Sequence, residues 1–371
     1  MASHDATDPQ RRVIIIGAGV AGSLAARRLA ESGIQVTMLD PALPFPLDPE
    51  RRGALYMKPA VDYNPETRLA HQAFLAAPEF YTRLQTEHPE IDFWSGTGTL
   101  SLAWNEREQQ RQEKLLARNQ WNPEFLEPVD SDRASLLSGL ELGVPGLWFP
   151  GGGHIRVDAL RQAALSHPLI RVITAVADGG RIQPDTDFWR LALPEGGTLE
   201  ASTLVVATGA ATNEWAPNLP LGRIRGQLTT LPATSAAPKV ALAGAGYALP
   251  PFHGRVCVGA TFDRDSGLGT PDAPSDRANI ENLGHWLPAL AGQLEENHDP
   301  GHWVGFRSTT PDHMPVAGHL NDRFVLAGLG GKGLMYAPLL AEHLTALISG
   351  SPSPLPADAA QRVSPLRFFK S

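Results

Sequence analysis

The sequence predicts an α/β protein, with a parallel sheet flanked by helices interleaved along the chain with a second α+β domain built on a mainly antiparallel sheet. Three observations carry this expectation. Val13-Ile14-Ile15-Ile16 is an unbroken β-branched run, the pattern of a parallel strand buried on both faces. Two later segments, Leu204-Val205-Val206-Ala207-Thr208-Gly209-Ala210 and Phe324-Val325-Leu326-Ala327-Gly328-Leu329-Gly330-Gly331-Lys332-Gly333-Leu334, again read as an apolar strand entering a glycine turn. Gly 36 and Pro 33 together make about 19% of the 371 residues, against an average near 12%. That excess of turn formers argues against a helix bundle. At about 150 residues per domain, the length fits two to three domains.

The elements follow in order. The first strand runs into Gly17-Ala18-Gly19-Val20-Ala21-Gly22 and then a helical stretch, Ser23 to Glu31. Gly33 ends that helix, Gln35 to Leu39 reads as a second strand, and Asp40 closes it 23 positions after Gly17. Each residue type has a task. Gly17 permits the tight turn, Gly19 lets backbone amides approach a pyrophosphate, and Gly22 lets the helix pack on the strand. Val20 and Ala21 open the helix, whose free N–H groups face the anion. Asp40 is placed to accept from a ribose diol, which favours FAD or NAD over a 2′-phosphorylated cofactor.

The remainder decides between the two. A nicotinamide dehydrogenase would continue with regular βα repeats. This chain instead enters an irregular stretch, Pro41 to Pro59, before a helix expected over Glu66 to Glu87. The late strand, glycine turn and helix (Met335 to Ile348) suit a flavin. Amides and a positive helix end there stabilise negative charge as the ring is reduced.

Other classes are disfavoured. A formal net charge of −8 does not suit a general nucleic-acid or anionic-membrane binder. One cysteine, Cys257, rules out an internal disulfide framework and CxxC-type metal sites. Its alternating neighbours Arg255-Val256-Cys257-Val258-Gly259 mark it as a core thiol. The polar start lacks a signal-peptide pattern, and no apolar run approaches the roughly 20 residues of a membrane span, so a cytoplasmic protein without a membrane partner is expected. Twelve histidines without HxH or HExxH spacing give no metal case, and no G-x-S-x-G elbow or Walker A lysine is present. His154, after Gly151-Gly152-Gly153, is expected as a loop residue, with a place lining the active site as the alternative, and Asp312-His313 as a structural turn.

Arg52-Gly53-Ala54-Leu55-Tyr56, Gly226-Gln227-Leu228, Val256-Cys257-Val258-Gly259-Ala260-Thr261-Phe262, Gly305 through Gly318 and Gly330-Gly331-Lys332-Gly333-Leu334 carry a resemblance. On these the chain resembles the glycine oxidase/D-amino-acid oxidase (DAO) superfamily of FAD-dependent amine oxidoreductases. Within it, the chain is most similar to the FAD-dependent C-terminal domain of bifunctional tRNA 5-methylaminomethyl-2-thiouridine biosynthesis proteins (MnmC). The resemblance covers about Arg12 to Phe369, including the tail Ser364-Pro365-Leu366-Arg367-Phe368-Phe369. It implies a Rossmann-like FAD-binding domain of the glutathione-reductase type at 11–92, 149–217 and 308–371. The substrate domain is then 93–148 and 218–307, with strands over Gly98–Trp104, Gly226–Pro232, Gly246–Pro250 and Arg255–Phe262. The substrate is expected between that sheet and the flavin.

The family moves a hydride from the amine-bearing carbon to flavin N5, and water hydrolyses the resulting imine. A carboxylate is the usual substrate handle, best held by a planar arginine fork. Arg307 falls at the position of that arginine, with an ion pair to Asp312 as the structural alternative. Tyr247 matches a substrate-facing tyrosine, and Lys332 sits in the flavin-facing turn. The resemblance extends the FAD contacts to Arg52, Gly53, Ala54, Val176, Thr208, Gly209, Gly330, Gly331, Lys332, Gly333 and Leu334. FAD is expected to be noncovalent, because Cys257 is not where some sarcosine oxidases attach flavin.

The chain departs from its subfamily in three places, one being the basic extension that typically follows the tail, which is not expected after Lys370-Ser371. The family's glycine-containing stretch before Arg52 is here Asp48-Pro49-Glu50-Arg51, and no methyltransferase region is expected within the residues ahead of the first strand. A separate methyltransferase partner, the oligomeric state and the electron acceptor therefore stay open. So does the substrate, a small free amine or amino acid, or a carboxymethylaminomethyl-uridine in tRNA. The tRNA form needs a basic surface to which Arg51, Arg52, Lys58, Arg223, Arg225 and Arg255 are the candidates. A non-catalytic FAD-binding sensor or scaffold is the alternative class.

Overall fold

The computed structural model describes residues 12–44, 46–177, 181–264, 266–295 and 299–369. The chain divides into two compact units. The first comprises Met1–Pro46, Arg161–Gly222 and Ser308–Ser371, and the second Leu47–Leu160 and Arg223–Arg307.

The first unit is built on a six-stranded sheet ordered Val316–Leu320, Arg323–Ala327, Thr203–Val206, Arg12–Ile16, Gln35–Leu39, Ile170–Ile173. Five of these strands run parallel, and Val316–Leu320 is antiparallel to its neighbour. Ile14 and Ile15 are fully buried, as an apolar strand without alternation requires. Ile14 and Ile16 pack in one cluster with Trp189 and Leu191 of a small antiparallel sheet, Ile182–Pro184, Trp189–Ala192 and Thr198–Ala201. The helices Val20–Glu31 and Gly333–Ser349 pack against one another. Gly196 and Gly197, both at positive φ (95° and 88°), turn the chain between two strands of the small sheet. That conformation suits the paired glycines seen in the sequence. The sequence predicts hairpin-type turns at this pair and at Gly179-Gly180, and the latter lies outside the described residues.

The second unit is built on an eight-stranded sheet ordered Gly301–Thr309, Gly222–Pro232, Arg255–Gly259, Tyr247–Phe252, Ala241–Ala243, Thr99–Leu102, Gly146–Phe149, Glu127–Val129. Its pairing is mostly antiparallel, with one parallel pair between Ala241–Ala243 and Thr99–Leu102. One face is apolar. Leu100, Leu102, Leu231, Leu242, Ala248, Val256 and Val258 cluster there with Leu283, Trp286 and Leu290 of the helices Ala273–Gly284 and Pro288–Glu295 and the turn joining them. The other face carries Leu228, Leu249 and Cys257 together with Tyr247. A three-stranded sheet, Arg52–Leu55, Gly153–Arg156 and Trp94–Ser95, completes the unit's strands among the described residues. The helix expected over Glu66–Glu87 spans Pro65–Glu87, capped by Asn64, whose side chain accepts from the Thr67 N–H at 2.8 Å.

All four expected strands of the eight-stranded sheet have different bounds: Gly98–Trp104 is Thr99–Leu102, Gly246–Pro250 is Tyr247–Phe252, and two more change as follows. Gly226–Pro232 extends back to Gly222 beside the strand Gly301–Thr309, and on its other side Arg225 and Asp263 exchange backbone hydrogen bonds of 2.8 and 3.0 Å. The strand expected over Arg255–Phe262 ends at Gly259, whose φ is +155°, so Thr261 and Phe262 belong to the loop that follows. No described helix is long and apolar enough to cross a membrane.

Candidate active site

Five segments reach the carboxyl edge of the parallel sheet, where an open α/β sheet takes its ligand. They are the Gly17–Gly22 turn, Asp40, Thr208-Gly209, the turn from Gly328 into Gly333, and the stretch after Ile173 that carries Val176. A Cβ on Gly17, which is at φ +96°, would sit 2.6 Å from the Ala207 carbonyl oxygen. One on Gly22 would meet the Gly17 carbonyl oxygen at 1.9 Å. Gly19 has open space instead. The backbone is therefore jammed on its protein side and free on the other, as close approach to a pyrophosphate demands. The helix Val20–Glu31 has no side-chain cap and no acidic residue in its first turn, so its N–H groups and positive end are available to an anion.

Asp40 bridges the turn. Its Oδ2 accepts from the Ala18 N–H at 2.8 Å and its Oδ1 from Ala42 N–H at 2.9 Å. Sequence reasoning missed two supports. Buried Arg161 donates its Nε–H to the Ala18 carbonyl at 2.5 Å, and Ser23 donates to the same oxygen at 3.1 Å. Arg161 lies far along the chain from the motif, so no local pattern marked it. Thr208 hydrogen-bonds Thr212 at 3.3 Å, and Gly209 and Gly330, both at φ +56°, hold their turns open. Gly331 is exposed, Gly333 and Leu334 begin the last long helix, and Lys332 stands at its N-cap, its pKa lowered by desolvation although the residue reaches solvent. Val176 is 60% exposed.

Arg52, Gly53 and Ala54 fall in the second unit. Arg52 is buried and gives its terminal nitrogens to the carbonyls of Pro250 (3.1 Å) and Arg255 (3.0 Å), so its side chain is committed to the Tyr247–Phe252/Arg255–Gly259 hairpin. Ala54, like Tyr247, packs against the cluster of Leu228, Leu249 and Cys257.

Arg307 and Tyr247 come together on the second sheet. The Arg307 guanidinium is half-buried, donates Nη1–H to the Thr261 carbonyl at 3.0 Å, and has no acidic partner among the described residues. Burial lowers its pKa, while Tyr247 and Tyr56 raise it. Burial pushes the Tyr247 phenol upward, with Cys257 and Tyr56 adding to the rise and Arg307 opposing it. Tyr56 is likewise raised by burial against the pull of Arg307. Both phenols therefore stay protonated donors at neutral pH, next to a fixed cation. Tyr56 was not singled out by sequence; its neighbourhood to Arg307 is purely tertiary. Small residues line this floor: Leu228 and Tyr247 both pair with Gly259, and Gly226 lies beneath the guanidinium.

The ion-pair alternative for Arg307 does not form. Asp312 is held by Arg367 instead, at 2.8 and 3.2 Å, and accepts from the Met314 N–H at 3.1 Å in a turn. His154, expected in a loop, is on the strand Gly153–Arg156 and buried. Burial and the nearby Arg156 and Arg52 push it down to about 4, and its Nδ1 has no partner. Cys257 is buried, which pushes its thiol up to about 11. Among the described residues no cluster of His, Cys, Asp or Glu is arranged for a metal.

The basic candidates are mostly engaged. Arg51 pairs with Asp158 (2.7 Å), Lys58 with Glu108 (2.9 Å) and Arg255 with Glu50 and Asp299 (3.5 and 3.3 Å). Arg225 is buried against Asp272 at 2.7 Å. Exposed Arg223 stacks 3.5 Å from the Phe306 ring centroid.

A family model described as DAO, FAD dependent oxidoreductase, matches residues 12–347. The chain belongs to the DAO family. As a DAO-family FAD-dependent oxidoreductase, its glycine turn, uncapped helix and Asp40 fit FAD. It is 35% identical over 383 aligned positions to the tRNA 5-methylaminomethyl-2-thiouridine biosynthesis bifunctional protein MnmC of Marinobacter nauticus, covering 98% of this chain and 59% of that protein. It is 34% identical over 382 positions to the protein of the same name from Hahella chejuensis, covering 97% and 60%. The chain thus spans about three-fifths of the length of these relatives. Two solved structures share the DAO fold with it. Glycine oxidase from Bacillus cereus has a TM-score of 0.76 at 22% identity, covering 92% of this chain and 98% of that one. Iminodiacetate oxidase from Chelativorans sp. has a TM-score of 0.76 at 22% identity, covering 95% and 99%.

Proposed function

We propose that this DAO-family enzyme oxidises the C–N bond of an N-substituted glycine, and that its substrate is the carboxymethylaminomethyl group of a uridine in tRNA. The observation that carries the reading is Arg307, a half-buried guanidinium with one backbone hydrogen bond, no acidic partner among the described residues, and two protonated phenols as neighbours. A carboxylate supplies the missing charge and accepts from the fork in two places.

Bound FAD, held noncovalently, supplies the two-electron acceptor. The chain's own part is to hold the carboxylate on Arg307, with Tyr247 and Tyr56 as further donors, and so fix the adjacent C–H and C–N bonds in a reactive orientation. Gly17, Gly19, Val20, Ala21, Gly22 and Asp40 would hold the nucleotide half. Thr208, Gly209 and Gly330 to Leu334 offer amides and a helix end to the ring, with Lys332 adding a proton donor there. Water then hydrolyses the imine, releasing glyoxylate and leaving a primary aminomethyl group on the base. In this reading the first unit binds FAD, the second binds substrate, and the enzyme works in the cytoplasm.

A second reading, a free glycine-like or N-alkyl-glycine substrate, is favoured by the engaged state of five of the six basic candidates. Anaerobic bleaching of the flavin band near about 450 nm separates the two. Reduction by tRNA bearing carboxymethylaminomethyl-uridine supports the first reading. Reduction by sarcosine or glycine alone supports the second, and reduction by none of them sinks both.

A further inference from the structure

Phe262 has no part in the site so far described. It is 59% exposed, in the loop after the strand Arg255–Gly259. The backbone on either side is fixed. Thr261 donates its N–H to the Gln227 carbonyl at 3.2 Å and accepts from Arg307 at 3.0 Å, and Asp263 exchanges two backbone hydrogen bonds with Arg225. Arg225 itself is 1% exposed and donates to the carbonyls of Leu268 (2.8 Å) and Thr270 (2.9 Å) and to Asp272 (2.7 Å). The loop therefore presents an apolar ring to water on an anchored frame.

Two guanidinium groups attend that ring. The Cζ of Arg264 is 5.3 Å from its centroid and that of Arg307 is 5.7 Å away. Arg264 is exposed. An exposed aromatic face beside cations is the chemistry of a base-stacking platform with a phosphate contact. The spacing also fits the proposed substrate. Four bonds join the carboxylate carbon to C5 of the pyrimidine, a reach of about 5 Å with bonds near 1.5 Å. A carboxylate on Arg307 thus brings the pyrimidine within reach of Phe262.

We infer that Phe262 stacks on the uracil ring of the substrate uridine, with Arg264 receiving a flanking phosphate. This rests on the tRNA form of the reading above and deepens it. Phe262 then determines specificity, since a glycine-like free amine has no ring to stack.

The test compares flavin reduction by the nucleoside 5-carboxymethylaminomethyluridine and by sarcosine, anaerobically, in wild type, Phe262→Ala and Phe262→Trp. The readout is the ratio of the two second-order rate constants. Phe262→Ala is expected to lower the nucleoside-to-sarcosine ratio by roughly 5- to 150-fold, the range of one base–aromatic stack. Phe262→Trp is expected to keep it. An unchanged ratio in Phe262→Ala, or an equal fall in Phe262→Trp, overturns the platform while leaving the tRNA reading intact. Wild-type enzyme that reacts with sarcosine but with neither the nucleoside nor the modified tRNA overturns both. Arg264→Gln adds a separate check: it should weaken modified tRNA more than the nucleoside, which has no phosphate.

Discussion

The guanidinium of Arg307 occupies the space a side chain on Gly226 would fill. A Cβ there would lie 2.4 Å from Nη1 and 2.6 Å from Nη2. The obstructed atoms are the end of a flexible chain, so Gly226→Ala should fold and keep its flavin while the fork is pushed aside. Its KM for a carboxylate-bearing amine should rise tenfold or more, about 1.4 kcal/mol. An unchanged KM would remove Arg307 from the substrate's path.

Arg307→Ala tests the handle directly. Losing one partner of a buried charge pair is expected to cost about 2–5 kcal/mol in kcat/KM, with flavin absorbance retained. Arg307→Lys should recover part of the loss, since an ammonium keeps the charge but not the bidentate fork. Substrate amides, which lack the charge, should discriminate far less between wild type and variant.

At the nucleotide end, Gly22→Ala sets a Cβ 1.9 Å from the Gly17 carbonyl oxygen and 3.1 Å from its carbon, both backbone atoms. Neither can swing away. The variant should purify without the yellow colour of flavin or with a lowered melting temperature, whereas Gly19→Ala, which points into open space, should keep its fold and show its defect in FAD affinity.

The Asp312–Arg367 pair predicts a pH window. Burial raises the Asp312 carboxyl, but the Arg367 hydrogen bonds and the Met314 N–H outweigh it, leaving the pKa below the usual carboxylate value. A carboxyl depressed in the folded state contributes stability above its unfolded pKa and loses it as pH falls through the folded one. Wild type should therefore melt higher than Asp312→Asn by a constant margin at neutral pH, and that margin should shrink only below about pH 4. A margin that already fades near pH 6 would assign it to another group.

Burial that pushes the Cys257 thiol up to about 11 predicts inertness, because the thiolate is the reactive form. A thiol reagent at mildly alkaline pH should leave the native enzyme unlabelled and react with one equivalent after denaturation.

Much of this was legible in order along the chain. The run Val13–Ile16, the turn to Gly22 and the acid at Asp40 are local, and each declares itself through residue type and spacing. Gly196-Gly197 did so too, because only φ > 0 suits both positions. The floor of the second sheet was different. Arg307 was found by resemblance, and Tyr56, Arg161 and Thr261 act through contacts with residues distant in the chain, which no local pattern encodes. His154 was misplaced because three preceding glycines read as a loop, whereas Gly153 pairs with Leu55 at the start of a strand. The basic candidates show the same limit: a sequence displays charge but not which acid neutralises it.

Arg225 grips the segment after Phe262 through the main-chain oxygens of Leu268 and Thr270 and the side chains of Asp272 and Ser275. At Leu268 and Thr270 the grip is indifferent to side-chain identity, and it uses no side chain of Phe262 or Arg264. Positions 262, 264 and 268 can therefore drift or be redesigned while the loop keeps its path, and new substrate preferences can arise there without rebuilding the scaffold. Arg225 itself has no such freedom.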